Sequence, residues 1–71
     1  MTIKECDMFY WEKAIDSGLF MIIETSETTI KYVYLSGGAR GQTYLMMMRE
    51  AARFISVGKL HKIGSDDGQD V

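Results

Sequence analysis

Two stretches rich in β-branched and aromatic residues, Leu19–Glu24 and Thr28–Leu35, stand only three polar residues apart. Nothing else in the chain constrains its fold as strongly. Such runs prefer extended backbone, and a link as short as Thr25-Ser26-Glu27 joins neighbouring antiparallel strands. A β-hairpin is therefore the centre of the reading. If Ser26 and Glu27 make a two-residue loop, Ile23 faces Ile30, Met21 faces Tyr32 and Leu19 faces Tyr34. Directly opposed residues share a sheet face, so these six are expected to meet the core. The other face then carries Phe20, Ile22 and Val33 with Lys31, Thr29 and Glu24. It is apolar near the glycine-rich stretch that follows and polar near the turn. A one-residue slip exchanges the two faces, so the assignment depends on the turn.

Two strands alone are marginal in water, so the flanks must cover them. Residues Ile3 to Asp16 fit a helical wheel with Ile3, Cys6, Tyr10 and Ala14 on one face. Thr2 and Glu5 have capping-box spacing before it, and Gly18 suits a left-handed cap after it. A strand through Asp7–Glu12 competes, because Phe9, Tyr10 and Trp11 favour extended backbone; the helical face is preferred. Thr43–Val57 is the strongest helical pattern. Leu45, Met48, Ala52 and Ile55 make a core stripe, Tyr44, Met47, Ala51 and Phe54 lie beside it, and Gly58 closes it. Lys59–Ile63 alternates polar and apolar residues and suits a short third strand near the C-terminus. The expected fold class is α+β: a small single domain in α-β-β-α order, with the hairpin packed by two helices. The domain is placed at 1–63, and the acidic residues 64–71 are expected to be a disordered tail.

The 71 residues suffice for one domain. A core of this size contributes about 3–5 kcal/mol, so a homo-oligomer or a partner is a natural source of further stability. The formal charge of −2 gives no support to a nucleic-acid or anionic-membrane partner. Cys6 is the single cysteine and His61 the single histidine, so neither an internal disulfide nor a zinc spacing is available. No cofactor motif is visible. No apolar run exceeds five residues, far short of the roughly 20 that cross a bilayer. The start of the chain lacks the basic-then-apolar pattern of a signal peptide. A soluble, cytoplasmic protein in a reducing compartment is expected.

Three features bear on function. The first is the glycine-rich joint between hairpin and second helix. Gly37, Gly38, Arg40 and Gly41 would offer free amides and a guanidinium to an anion if a helix began there. The spacing matches neither the phosphate-binding loop nor the dinucleotide fingerprint, so a flexible connection is the plainer reading. The second is Met46. The wheel sets it on the polar side among Arg49, Glu50 and Arg53, an exposed methionine flanked by arginines. Adaptable methionine and anchoring arginine suit a protein contact, and Arg40 extends the patch. The third is the aromatic surplus: Lys31, Arg40 and the tyrosines could stack and neutralise nucleic acid, although acids outnumber bases by ten to eight. Catalysis finds no support, since His61 and Cys6 belong to no visible nucleophile motif. The reading that emerges is a non-enzymatic protein-binding module. It would act as a small adaptor or inhibitor of a larger partner, in the manner of phage or mobile-element products that block host machinery. Its expected contact surface is Arg40, Met46, Arg49, Glu50 and Arg53, with the mixed sheet face second.

Overall fold

The computed structural model describes residues 3–63. They form a mostly antiparallel β structure, not the expected hairpin between two helices. The elements are β1 (Met8–Trp11), β2 (Leu19–Thr25), β3 (Thr29–Tyr34), β4 (Thr43–Met47), α1 (Met48–Ser56) and β5 (Leu60–Lys62). The strands make one sheet in the order β4-β3-β2-β1-β5, antiparallel throughout. The first four strands meander. Then α1 carries the chain across one face to the opposite edge, where β5 joins β1. The nine residues of α1 span about 13.5 Å at 1.5 Å each. The four strand spacings to be crossed total about 19 Å, so Val57–Lys59 completes the crossing. Gly58 ends the helix as its position predicts, at φ +81°. Its N–H donates to Ile55 and that of Lys59 to Phe54.

Ile3–Asp16 is not helical. Its aromatic triplet enters β1, with Phe9 opposite Phe20 and Tyr10 opposite Leu19. The chain turns sharply on either side, at Cys6 (φ 74°) and Lys13 (φ 64°). A helix would have left β2 without a neighbour on that side, whereas as a strand the triplet pairs on both edges, with β2 and with β5. Gly18 does not cap a helix; it is buried beside Trp11 at the entry to β2. The proposed capping box begins at Thr2, outside the described residues, as is the acidic segment 64–71. The second helix starts five residues later than its pattern suggests. Thr43–Met47 is β4, paired residue for residue with β3 from Thr29↔Met47 to Val33↔Thr43. The alternating strand at Leu60–Lys62 does form.

The hairpin forms with Ile30, Tyr32 and Tyr34 of β3 facing the core as expected and with the two faces of β2 exchanged. Near the turn Thr25 opposes Ile30 and Glu24 opposes Lys31; beyond it Ile22 opposes Tyr32 and Phe20 opposes Tyr34. The loop is two residues longer than expected, which preserves parity. A bulge at Ile23 then shifts the register by one, which reverses it. Phe20 and Ile22 therefore face inward with Ile30 and Tyr32, while Leu19 and Met21 face outward. The core is completed by Phe9, Met46, Ala51 and Leu60, with Trp11, Tyr34, Met48, Phe54 and Ile55 packed around it. All of it lies between α1 and one face of the sheet.

Candidate functional site

The exchange at β4 rearranges the expected contact patch. Strand alternation sends Met46 inward, where it is 8% exposed, and turns Leu45 outward at 70%. The expectation of an exposed Met46 is thus corrected, as is that of a buried Leu45. Tyr44 and Met46 belong to the helix side of the sheet; Thr43, Leu45 and Met47 belong to the other. Arg49, Glu50 and Arg53 do lie exposed on α1. Arg40 does not join them. It sits in the turn before β4, and the five residues of that strand, about 17 Å, separate it from α1.

The glycine loop loses the premise of an anion site, because it leads into a strand and not a helix. Three of its amides are also occupied: Arg40 donates to Gly37, Gly41 to Tyr34 and Gln42 to Ala39. The glycines have a conformational task instead. Gly37 (φ +80°) passes so close to Ser17 that a Cβ would fall 2.3 Å from its carbonyl oxygen. The Ser36 hydroxyl locks the same junction, accepting from the Leu19 N–H at 3.1 Å and donating to the Ile15 carbonyl at 3.4 Å.

Tyr32, Tyr34 and Tyr44 form one cluster on the helix side. Tyr32 and Tyr34 meet edge to face at 5.6 Å, Tyr34 and Tyr44 at 5.4 Å, and Phe20 packs 4.4 Å from Tyr32. Trp11 Nε1–H donates to the Tyr34 hydroxyl at 3.1 Å. Burial first, then the neighbouring Tyr34 and Tyr44 hydroxyls, push Tyr32 up from 10.0 to about 12. It stays a neutral phenol and is unsuited to act as a base. Lys31, the proposed nucleic-acid partner of these rings, projects from the opposite face beside Leu45. The sheet thus separates Lys31 from Tyr32, Tyr34 and Tyr44 and leaves only Tyr10 on its face.

That opposite face is the least conventional surface of the molecule. Among the described residues it carries no helix. Met8, Met21, Val33 and Thr43 form one row across β1–β4, and Tyr10, Leu19 and Leu35 form the next. Met8, Tyr10, Leu19, Met21 and Val33 are half-buried by one another, and Leu35 and Leu45 are exposed. Charge enters only at the margins: Glu24 beside Lys31 near the hairpin turn, and His61 bonded to Glu12 at the β5 edge. The predicted gradient from apolar to polar is present, with Leu19 and Met21 in the places foreseen for Phe20 and Ile22. Sequence reasoning ranked this sheet face second and set Val33, Lys31 and Glu24 on it correctly, but filled it with Phe20 and Ile22 and placed Leu19 and Met21 in the core. The run Leu19–Ile23 is apolar throughout, so only its register against β3 separates the two faces.

His61 and Cys6, which belong to no visible nucleophile motif, sit at different places in the fold. His61 is stacked on Tyr10, opposite it in the ladder. Cys6 lies in the turn that precedes β1, its N–H donating to the Ile22 carbonyl at 2.8 Å. Among the described residues no group of three or more His, Cys, Asp or Glu is placed to hold a metal ion. Among them, too, no helix is long and apolar enough to cross a membrane. Comparison with protein-family models, with curated proteins and with solved structures found no match.

Proposed function

We propose that this chain is a non-enzymatic protein-binding module, an adaptor or inhibitor that engages a larger protein through the helix-free face of its sheet. The observation that carries this reading is the apolar double row of Met8, Met21 and Val33 with Tyr10, Leu19 and Leu35, over which the described residues lay no second layer. A sheet normally buries such a face against another element, and contiguous exposed apolar area marks interaction sites. Three methionines on or beside it (Met8, Met21 and Met47) add adaptable contact area. The arginines of α1 lie behind the sheet and would not touch the same partner.

Affinity capture with the purified protein, run in parallel for Met21→Glu and for Arg49→Glu/Arg53→Glu, tests the proposal. A specific protein retained by wild type and by the arginine variant, but lost with Met21→Glu, is the expected result. Loss with the arginine variant and retention by Met21→Glu would move the site to α1. Retained material that is nucleic acid, and that dissociates steeply with salt, would replace the protein reading altogether.

A further inference from the structure

The sheet has two edges, and they are protected unequally. β5 is three residues long and contains His61 and Lys62. Short length and a lysine are the usual means of keeping an edge from pairing with another chain. β4 has neither. Its sequence, Thr43-Tyr44-Leu45-Met46-Met47, contains no charge, proline or glycine and runs for five residues without a bulge against β3. Among the described residues, none pairs with its outer backbone. The Tyr34 N–H bonds to Gln42 and the Met48 N–H to Thr28. In an antiparallel ladder bonded positions alternate, so Tyr44 and Met46 bond toward β3. Thr43, Leu45 and Met47 aim their N–H and C=O groups outward.

We infer that β4 is a self-pairing edge, where a second copy of this chain adds its own β4 antiparallel about a two-fold axis through Leu45. With Leu45 opposite Leu45, Thr43 of each copy opposes Met47 of the other. All the outward groups then pair, in about six hydrogen bonds. The two-fold sets Leu45 against its own copy, where a charge would meet its like, so a strand without charge suits it. The ends of the edge are complementary as well. Near Met47 lie Glu27, Arg49 and Glu50, two carboxylates against one guanidinium, around shallow cavities of about 340 and 280 Å³. Near Thr43 lies Arg40. Antiparallel pairing brings the Arg40 end of one copy to the more acidic end of the other, twice. The blunt β5 edges are left outside, so the assembly closes as a dimer. The helix-free faces of the two copies become one surface.

This inference is independent of the proposed partner, which uses the centre of the sheet. In a Cys6→Ser background, Leu45→Cys places two thiols at about 5.5 Å between Cα atoms, within the disulfide range of about 4.4–6.8 Å. Tyr44→Cys, facing Met46 of the other copy, is the control. Mild oxidation is expected to yield a covalent dimer from Leu45→Cys and little from Tyr44→Cys. In sedimentation, wild type should pass from one-chain to two-chain mass as concentration rises, and Leu45→Lys should weaken this about tenfold or more through like charges at the axis. A one-chain mass at every concentration would overturn the inference. So would equal cross-linking at both positions, or a mass that grows beyond two chains. Circular dichroism of each variant establishes that it is folded, and Met21→Glu should dimerise like wild type.

Discussion

Leu45 and Met46 are adjacent, both apolar and of similar size, and the structure assigns them opposite fates. A helix from Thr43 would make Leu45 the core residue and leave Met46 in water. β4 does the reverse. Leu45 is 70% exposed. Full burial of a leucine side chain contributes about 1.5–3 kcal/mol, so the buried third leaves about 0.5–0.9 kcal/mol to lose in Leu45→Ala. Met46, at 8% exposure, packs with Ile30, Ala51 and the aromatic core. Met46→Ala removes a nearly full complement of contacts and leaves a cavity, at about 2–5 kcal/mol. The unfolding entropy of a chain this long is about 0.15 kcal/mol per kelvin, so 1 kcal/mol corresponds to roughly 7 °C. Leu45→Ala should lower Tm by about 3–6 °C and Met46→Ala by about 13 °C or more, enough to unfold a small domain at ambient temperature. Urea and thermal melts followed by circular dichroism, at protein concentrations too low for association, measure both. If Leu45→Ala proves the more damaging substitution, residues 43–47 are helical and β4 does not exist.

Other expectations follow from single contacts. Gly41→Ala meets open space at φ +85° and should cost only the left-handed penalty, about 1–2 kcal/mol; Gly37→Ala, blocked by the Ser17 backbone, should cost more. Equal losses in chemical denaturation would mean that the β1–β2 and β3–β4 loops are not in contact. Trp11→Phe removes the bond to Tyr34 and should cost about 0.5–1.5 kcal/mol, with a double-mutant cycle against Tyr34→Phe showing the coupling. Tyr32 is an acid whose folded value, about 12, lies above its ordinary 10.0. The unfolded chain therefore releases this proton first, and the stability is complete below pH 10 and declines as pH rises toward 12. Alkaline difference absorbance should show one late tyrosine, and Tyr32→Phe should abolish that step.

Much of the sheet was legible in the residues. β2, β3 and β5 follow from β-branched content and alternation, and the end of α1 follows from Gly58. The two errors of type share a cause. Phe9-Tyr10-Trp11 and Tyr44-Leu45-Met46 each satisfy a 3.6-residue wheel and a two-residue alternation at once, because runs of adjacent apolar residues fit both periods. What decides is pairing available only in three dimensions: Phe9 against Phe20, Tyr44 against Tyr32. The contact surface inherited those errors. Arg49, Glu50 and Arg53 were rightly placed in water because they lie in the part of the helix that exists, whereas Met46 was misplaced because its segment is a strand. The helix-free apolar face was hidden for a different reason. Leu19 and Met21 look like core residues by composition, and only the register of β2 against β3 shows that they point away from α1.

That register carries one surplus residue. Ile23 is the extra member of β2, bulged between Ile22 opposite Tyr32 and Glu24 opposite Lys31. Deleting Ile23 removes the bulge and closes a regular ladder in which Ile22 still faces Tyr32 and Phe20 still faces Tyr34, so the lining stays inside. The hairpin can therefore lose a residue at the bulge and keep the same interior.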